Sequence, residues 1–185
     1  MGPPIWSPEL NEAGRRGADR PALEVTTRSL DQLGAVGLLS GETRTGEPRA
    51  RCWPVRCRRP PRVFEIRDDT AWLGLVDRYP IELTWARRGN WHDATDLESR
   101  WLLFDWSLVA EDYGGVHLGL MAYLSMSGRA LQVDPGAATL LAGWNPDETY
   151  WLADVLDLAG EFKRWVATEH NPPRAWRRVG DIELP

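Results

Sequence analysis

The chain has 185 residues, enough for one ordinary domain with extensions, and at 43% hydrophobic and 26% charged it can bury a core. No apolar run reaches the roughly 18 residues of a membrane-spanning helix, and the opening Met1-Gly2-Pro3-Pro4-Ile5-Trp6 has neither the charged nor the apolar segment of a secretory signal. The formal charge is −5, and two cysteines, Cys52 and Cys57, exclude a disulfide framework, as expected of a soluble protein in a reducing cytoplasm.

Residues 1–62 are rich in Gly, Pro and Arg, carry few periodic apolar runs, and read as a flexible basic arm. Within it only residues 30–39 have helix or strand character, and Gly34 and Gly37 weaken either reading. Between Arg44 and Arg62 stand seven arginines and one acid, Glu47, so this stretch carries +6 and the rest of the chain −11. Such an arm either folds against an acidic body or binds something anionic. With Trp53 it has the composition of a nucleic-acid contact, arginine for phosphate and tryptophan for stacking. The acidic chain, with a pI near 5.3 and no nucleic-acid fold motif, makes nucleic acid an unlikely partner.

The ordered domain is expected over residues 63–168, with 169–185 as a tail. Residues 63–67 alternate as a strand, Asp68 and Asp69 offer helix N-caps, and Trp72, Leu75, Val76 and Tyr79 follow at i, i+3, i+4, i+7. Pro80 ends that helix, and residues 81–85 alternate again as a strand. Residues 101–104 read as a buried strand, Asp105 as a cap, and Trp106, Val109, Ala110 and Tyr113 as a second stripe, stopped by Gly114-Gly115. The two stripes match at an offset of 34 residues, which either marks a duplicated strand–helix–strand unit or is what any two short amphipathic helices share. Residues 116–125 read as one long strand. Residues 129–133 and 138–142 flank an Asp134-Pro135-Gly136 turn, Asn145-Pro146-Asp147-Glu148 is a second turn, and residues 150–158 and 162–167 are the last elements.

Eleven tryptophans are several times the usual share, and they either fill a small core or line a cleft or partner surface. If residues 116–125 are one strand, His117, Tyr123 and Ser125 share a face with Ser127, either as a ligand surface or as a covered second face of the sheet. Asp147 and Glu148 lie beside Trp144 and Tyr150, an acid among aromatic plates. There is no Gly-x-Ser-x-Gly elbow, no Walker loop and no dinucleotide fingerprint, and Cys52-x4-Cys57 lacks the paired ligands of a zinc site, so no metal is expected.

Residues 105–118, Asp-Trp-Ser-Leu-Val-Ala-Glu-Asp-Tyr-Gly-Gly-Val-His-Leu, and 143–152, Gly-Trp-Asn-Pro-Asp-Glu-Thr-Tyr-Trp-Leu, resemble a tryptophan-rich family of high-GC soil bacteria with no established activity. Tyr123-Leu124-Ser125-Met126-Ser127 is similar to the aromatic-then-Ser-x-Ser strand of ADP-ribosyltransferases. That resemblance implies NAD as cofactor, with Arg67 or His117 helping to bind it and Glu148 activating the ribose. The family's acidic pair before the final strand is missing, and His117 shares a strand with the serines.

The expected fold is α+β, a mixed or antiparallel sheet with two short amphipathic helices behind the basic arm. The expected function is a non-catalytic soluble binding domain with an aromatic-rich cleft or partner surface, for a protein partner or a small-molecule ligand and without a cofactor. The alternative is a small NAD- or nucleotide-using enzyme, with His117 and Glu148 catalytic and Arg67, Tyr123, Ser125, Ser127 and Trp144 around the nucleotide.

Overall fold

A computed structural model describes residues 4–6, 24–30, 34–40, 49–167 and 176–180. The chain divides into two units, residues 1–60 with 148–185 and residues 61–147. The first contributes strands β1 (Pro4–Trp6), β2 (Glu24–Thr27), β3 (Ser29–Leu30) and β4 (Gly34–Ala35), helix α1 (Val36–Ser40) and strand β5 (Arg49–Cys57). The second holds β6 (Val63–Ile66), α2 (Asp69–Arg78), β7 (Pro80–Glu82), α3 (Thr84–Thr95), β8 (Arg100–Phe104), α4 (Trp106–Asp112), β9 (Gly115–Leu118), α5 (Leu120–Met126), β10 (Ala130–Asp134) and β11 (Ala137–Leu140). The chain then returns to the first unit with β12 (Glu148–Trp151), β13 (Leu156–Leu158), β14 (Lys163–Ala167) and β15 (Trp176–Arg178). The fold is α+β with mostly antiparallel pairing.

In the first unit the order is β1-β5-β14-β15, all antiparallel, with β13 on the later part of β5. Residues 49–57, expected in the flexible arm, are the longest strand of this sheet. Composition alone does not reveal this strand, because its exposed arginines alternate with small or apolar residues that turn inward. Ala50 and Cys52 turn inward, and with Trp165, Trp176, Ala35 and Leu38 they make the unit's core. Arg49 and Arg51 stay exposed on the other face. β2 pairs β12, and the buried Thr26 and Thr27 are both satisfied: Trp151 Nε1 donates to Thr26 Oγ1 at 2.9 Å and the Gly37 amide to Thr27 Oγ1 at 3.0 Å. Residues 1–3, 7–23, 31–33 and 41–48 of the expected arm, residue 168 of the expected domain, and residues 169–175 and 181–185 of the expected tail lie outside the described residues.

In the second unit α2 and α4 start where their sequences place them. The Asp68 carboxylate accepts from the Ala71 amide at 2.8 Å and Asp105 from the Ser107 amide at 2.7 Å, each satisfying one open donor of the first turn. Trp72, Leu75, Val76 and Tyr79 are all buried, as the stripe requires. The second stripe holds only in part: Val109 and Tyr113 are buried but Ala110 is exposed. The 34-residue offset therefore equates buried Val76 with exposed Ala110, and the two helices do not bury the same face. Gly114 and Gly115 keep ordinary φ, and Gly115 already belongs to β9.

Two strand expectations are corrected. Residues 81–85 stop pairing at Glu82, because α3 begins at Thr84, whose hydroxyl accepts from the Trp101 amide at 3.0 Å. Trp91 is the buried side chain of α3 among those described, so no apolar stripe betrays this helix in sequence. Residues 116–125 are not one strand. β9 ends at Leu118, Gly119 caps α5, and the side chains α5 buries are Ala122 and Met126, four apart as helical geometry demands. Val116, Leu118, Leu120, Ala122 and Leu124 alternate with His117, Gly119, Tyr123 and Ser125 and so mimic a strand, but Gly119 breaks the run and Leu118, Ala122 and Met126 also stand at helical spacing.

The remaining pairings of this unit are β10-β11-β8-β7, with β11 parallel to β8, and β6 parallel to β9. Gly136, at φ +92°, makes the expected turn between β10 and β11. Among the described residues no helix is long and apolar enough to cross a membrane.

Candidate functional site

The parallel pairing of β6 and β9 sets Glu65 directly opposite His117, and Glu65 Oε2 lies 2.7 Å from His117 Nδ1. On its other side Nε2 is 3.7 Å from Oδ1 of Asp147, whose carboxylate is almost fully buried (1% exposed). Asp147 sits in the Pro146-Asp147 turn at φ +61°, a left-handed conformation that Asp tolerates better than most residues. Both ring nitrogens of His117 thus face carboxylates. Arg67, two residues beyond Glu65, is exposed.

The other expected site residues are distributed differently. Tyr123 and Ser125 lie on α5 and Ser127 caps it, so strand alternation no longer aligns them with His117. The Ser125 hydroxyl donates to the Ala122 carbonyl at 2.9 Å, a local helical bond. Trp144 is buried, stacked on Trp106 (centroids 5.7 Å apart, 15° between planes) and edge-on to Trp72. Glu148 opens β12 opposite Thr27 and belongs to the first unit, with 1% of its surface exposed. Glu65 was missed in sequence because its partner lies 52 residues away across a parallel pair. Nothing in the strand pattern of residues 63–67 marks it.

Neither cysteine is an activated thiol. Burial pushes Cys52 up to about 12, only partly offset by the Lys163 ammonium, and burial raises Cys57 as well. Among the described residues no group of three His, Cys, Asp or Glu is placed to hold a metal.

A second locus lies on the first unit's sheet. The β5–β14 register sets Arg51 opposite Arg164 and Arg49 opposite Val166, while β15 sets Arg177 opposite Val166. These positions alternate with the inward Ala50, Cys52 and Trp165, so Arg49, Arg51, Arg164 and Arg177 share the outer face, and all four are exposed. Phe162 precedes β14, and the guanidinium carbons of Arg51 and Arg164 each lie 5.4 Å from its ring centroid. The Trp53 ring is 5.5 Å from Phe162, at 53° to it. Cation–π attraction holds these planar groups together without removing them from solvent. Beside them is an open hollow of about 680 Å³ lined by Trp53, Leu158, Phe162, Lys163, Arg164 and Arg178, with Glu161 as its one carboxylate among the described lining residues.

Arg51 and Trp53 were visible in sequence as a basic, aromatic stretch. Phe162 and Arg164 were not, because only the pairing of strands more than a hundred residues apart brings them alongside. No protein-family model, no curated protein and no solved structure matches the chain.

Proposed function

We propose that the chain is a binding domain without chemistry of its own, and that its ligand-contacting surface is the arginine and aromatic face of the β5–β14 sheet. The observation that carries this reading is the Phe162 ring with the guanidiniums of Arg51 and Arg164 each 5.4 Å from its centroid and Trp53 beside it. Four exposed arginines attract an anion, and two half-buried rings offer flat apolar contact, so the ligand is anionic and carries a planar ring.

Calorimetric titration of the full chain with AMP and with inorganic pyrophosphate tests this. AMP should bind and pyrophosphate bind more weakly, because it has charge but no ring. Phe162→Ala and the double variant Arg51→Glu/Arg164→Glu should each weaken AMP binding about tenfold or more, the loss of one stacking contact or of both flanking charges. Unchanged AMP affinity in both variants would refute the assignment.

A second reading has one observation in its favour, the 2.7 Å contact of Glu65 with Nδ1 that fixes the His117 ring. Under it the chain is a small NAD- or nucleotide-using enzyme with His117 catalytic. NAD binding would then be lost in His117→Ala and kept in Phe162→Ala, the reverse of the pattern expected for the sheet face.

A further inference from the structure

We infer that the ligand of the β5–β14 face is single-stranded nucleic acid, a step that rests on the binding reading above and specifies its ligand. The first argument is extent. Arg49 and Arg51 lie two residues apart on one strand, about 6.7 Å, and Arg164 lies on the adjacent strand about 4.8 Å across. Arg177 continues the row onto β15, opposite Val166. The cations therefore spread over three neighbouring strands, a larger footprint than the single phosphate group of a mononucleotide, and one suited to a chain of phosphates.

The second argument is the type of cation and ring. Guanidinium is planar, binds phosphate through two parallel hydrogen bonds and stacks on bases, which an ammonium does not. Trp53 and Phe162 are tilted by 53° rather than parallel, so they do not close on each other as a stacked pair, and both are partly exposed. In a duplex the bases are already paired and stacked, and their faces are out of reach; only an unpaired strand can use these rings.

Charge separation supplies the third argument. Residues 61–147 hold seven arginines against thirteen carboxylates, a formal −6, which leaves residues 1–60 with 148–185 at +1. A polyanion is thus directed to the first unit and repelled from the second. The chain's overall acidity, which spoke against nucleic acid in sequence, averages over two units of opposite sign.

The test is fluorescence anisotropy of the full chain with labelled oligo(dT) and oligo(U) of two, four, eight and twelve nucleotides. Affinity should rise at least tenfold from two to eight nucleotides and then level off. Neutralising three or four phosphates on a single strand should weaken binding about 20–50-fold between 50 and 200 mM salt. Phe162→Ala and Arg51→Glu/Arg164→Glu should each lose tenfold or more; the second variant alters only exposed side chains, so it remains informative if the first fails to fold. Equal binding of a duplex, of polyglutamate or of phosphatidylserine vesicles would overturn the inference. If AMP binds this face but affinity does not grow with oligomer length, the single-strand inference falls and the binding reading stands. If neither AMP nor any oligomer binds, both fall.

Discussion

Trp72→Ala is expected to cost about 3–5 kcal/mol, as large-to-small changes of buried aromatic residues do. Trp72 is 0% exposed, at the centre of α2's buried stripe, with its ring edge-on to Phe104 (5.3 Å) and to Trp144 (6.3 Å). Its Nε1–H donates to Thr139 Oγ1 at 3.2 Å, and Thr139 is also fully buried. Alanine therefore opens a cavity and leaves a buried hydroxyl without this donor. Phe keeps most of the ring and loses the hydrogen bond, so Trp72→Phe should cost about 1–3 kcal/mol. Trp85, 95% exposed on α3, is the counter-case: Trp85→Ala should move stability by no more than about 0.5 kcal/mol. Urea denaturation of the three variants separates these outcomes. A loss below about 1 kcal/mol for Trp72→Ala would mean that this core is not packed as described.

Gly34→Ala is expected to cost about 2–6 kcal/mol, from backbone strain and steric overlap acting together. The first source is backbone: Gly34 has φ +87°, and a side chain there carries about 1–3 kcal/mol of strain. The second is space. A β-carbon at Gly34 would stand 2.5 Å from Cζ2 of Trp165 and closer still to Cη2, so the indole that fills the first unit's core must move. Overpacking of that kind costs about 1–3 kcal/mol. Gly74 provides the contrast. It is exposed on α2, and a β-carbon added there would meet nothing within 4 Å. Gly74→Ala should therefore stabilise by about 0.5–1 kcal/mol through helix propensity alone. Denaturation midpoints moving in opposite directions for the two substitutions would bear this out; a neutral Gly34→Ala would contradict it.

Local signals were legible in the sequence and long-range ones were not. Asp68 and Asp105 cap helices through bonds spanning two or three residues, so the start of α2 and α4 could be read directly. Gly34 was seen only as a residue that weakens helix and strand, because its purpose is a tryptophan 131 positions later. The failure at residues 116–125 has a different cause: apolar residues at every even position mimic a strand across the Gly119 break, although Leu120 and Leu124, which that strand would bury, are exposed on α5. At the histidine locus, His117 and Asp147 were candidates from residue type, whereas Glu65 acquires its role only from the parallel pairing of β6 with β9. Glu148 was chosen over Asp147 from the same turn, and it is Asp147 whose carboxylate stands by Nε2. The sheet face was half visible as an arginine-rich stretch with Trp53, and it became a surface only when β14 supplied Phe162 and Arg164.

The most direct test of the proposed binding face is to follow the indole N–H resonances of Trp53 and Trp85 by NMR while the full chain is titrated with an eight-nucleotide oligo(dT). Both side chains reach solvent, Trp85 at 95% exposure and Trp53 half-buried, but only Trp53 adjoins the arginines and Phe162. The Trp53 resonance should shift or broaden in proportion to saturation while Trp85 stays in place. A Trp53 resonance that does not move, or a shift confined to Trp85, would contradict the assignment of this face.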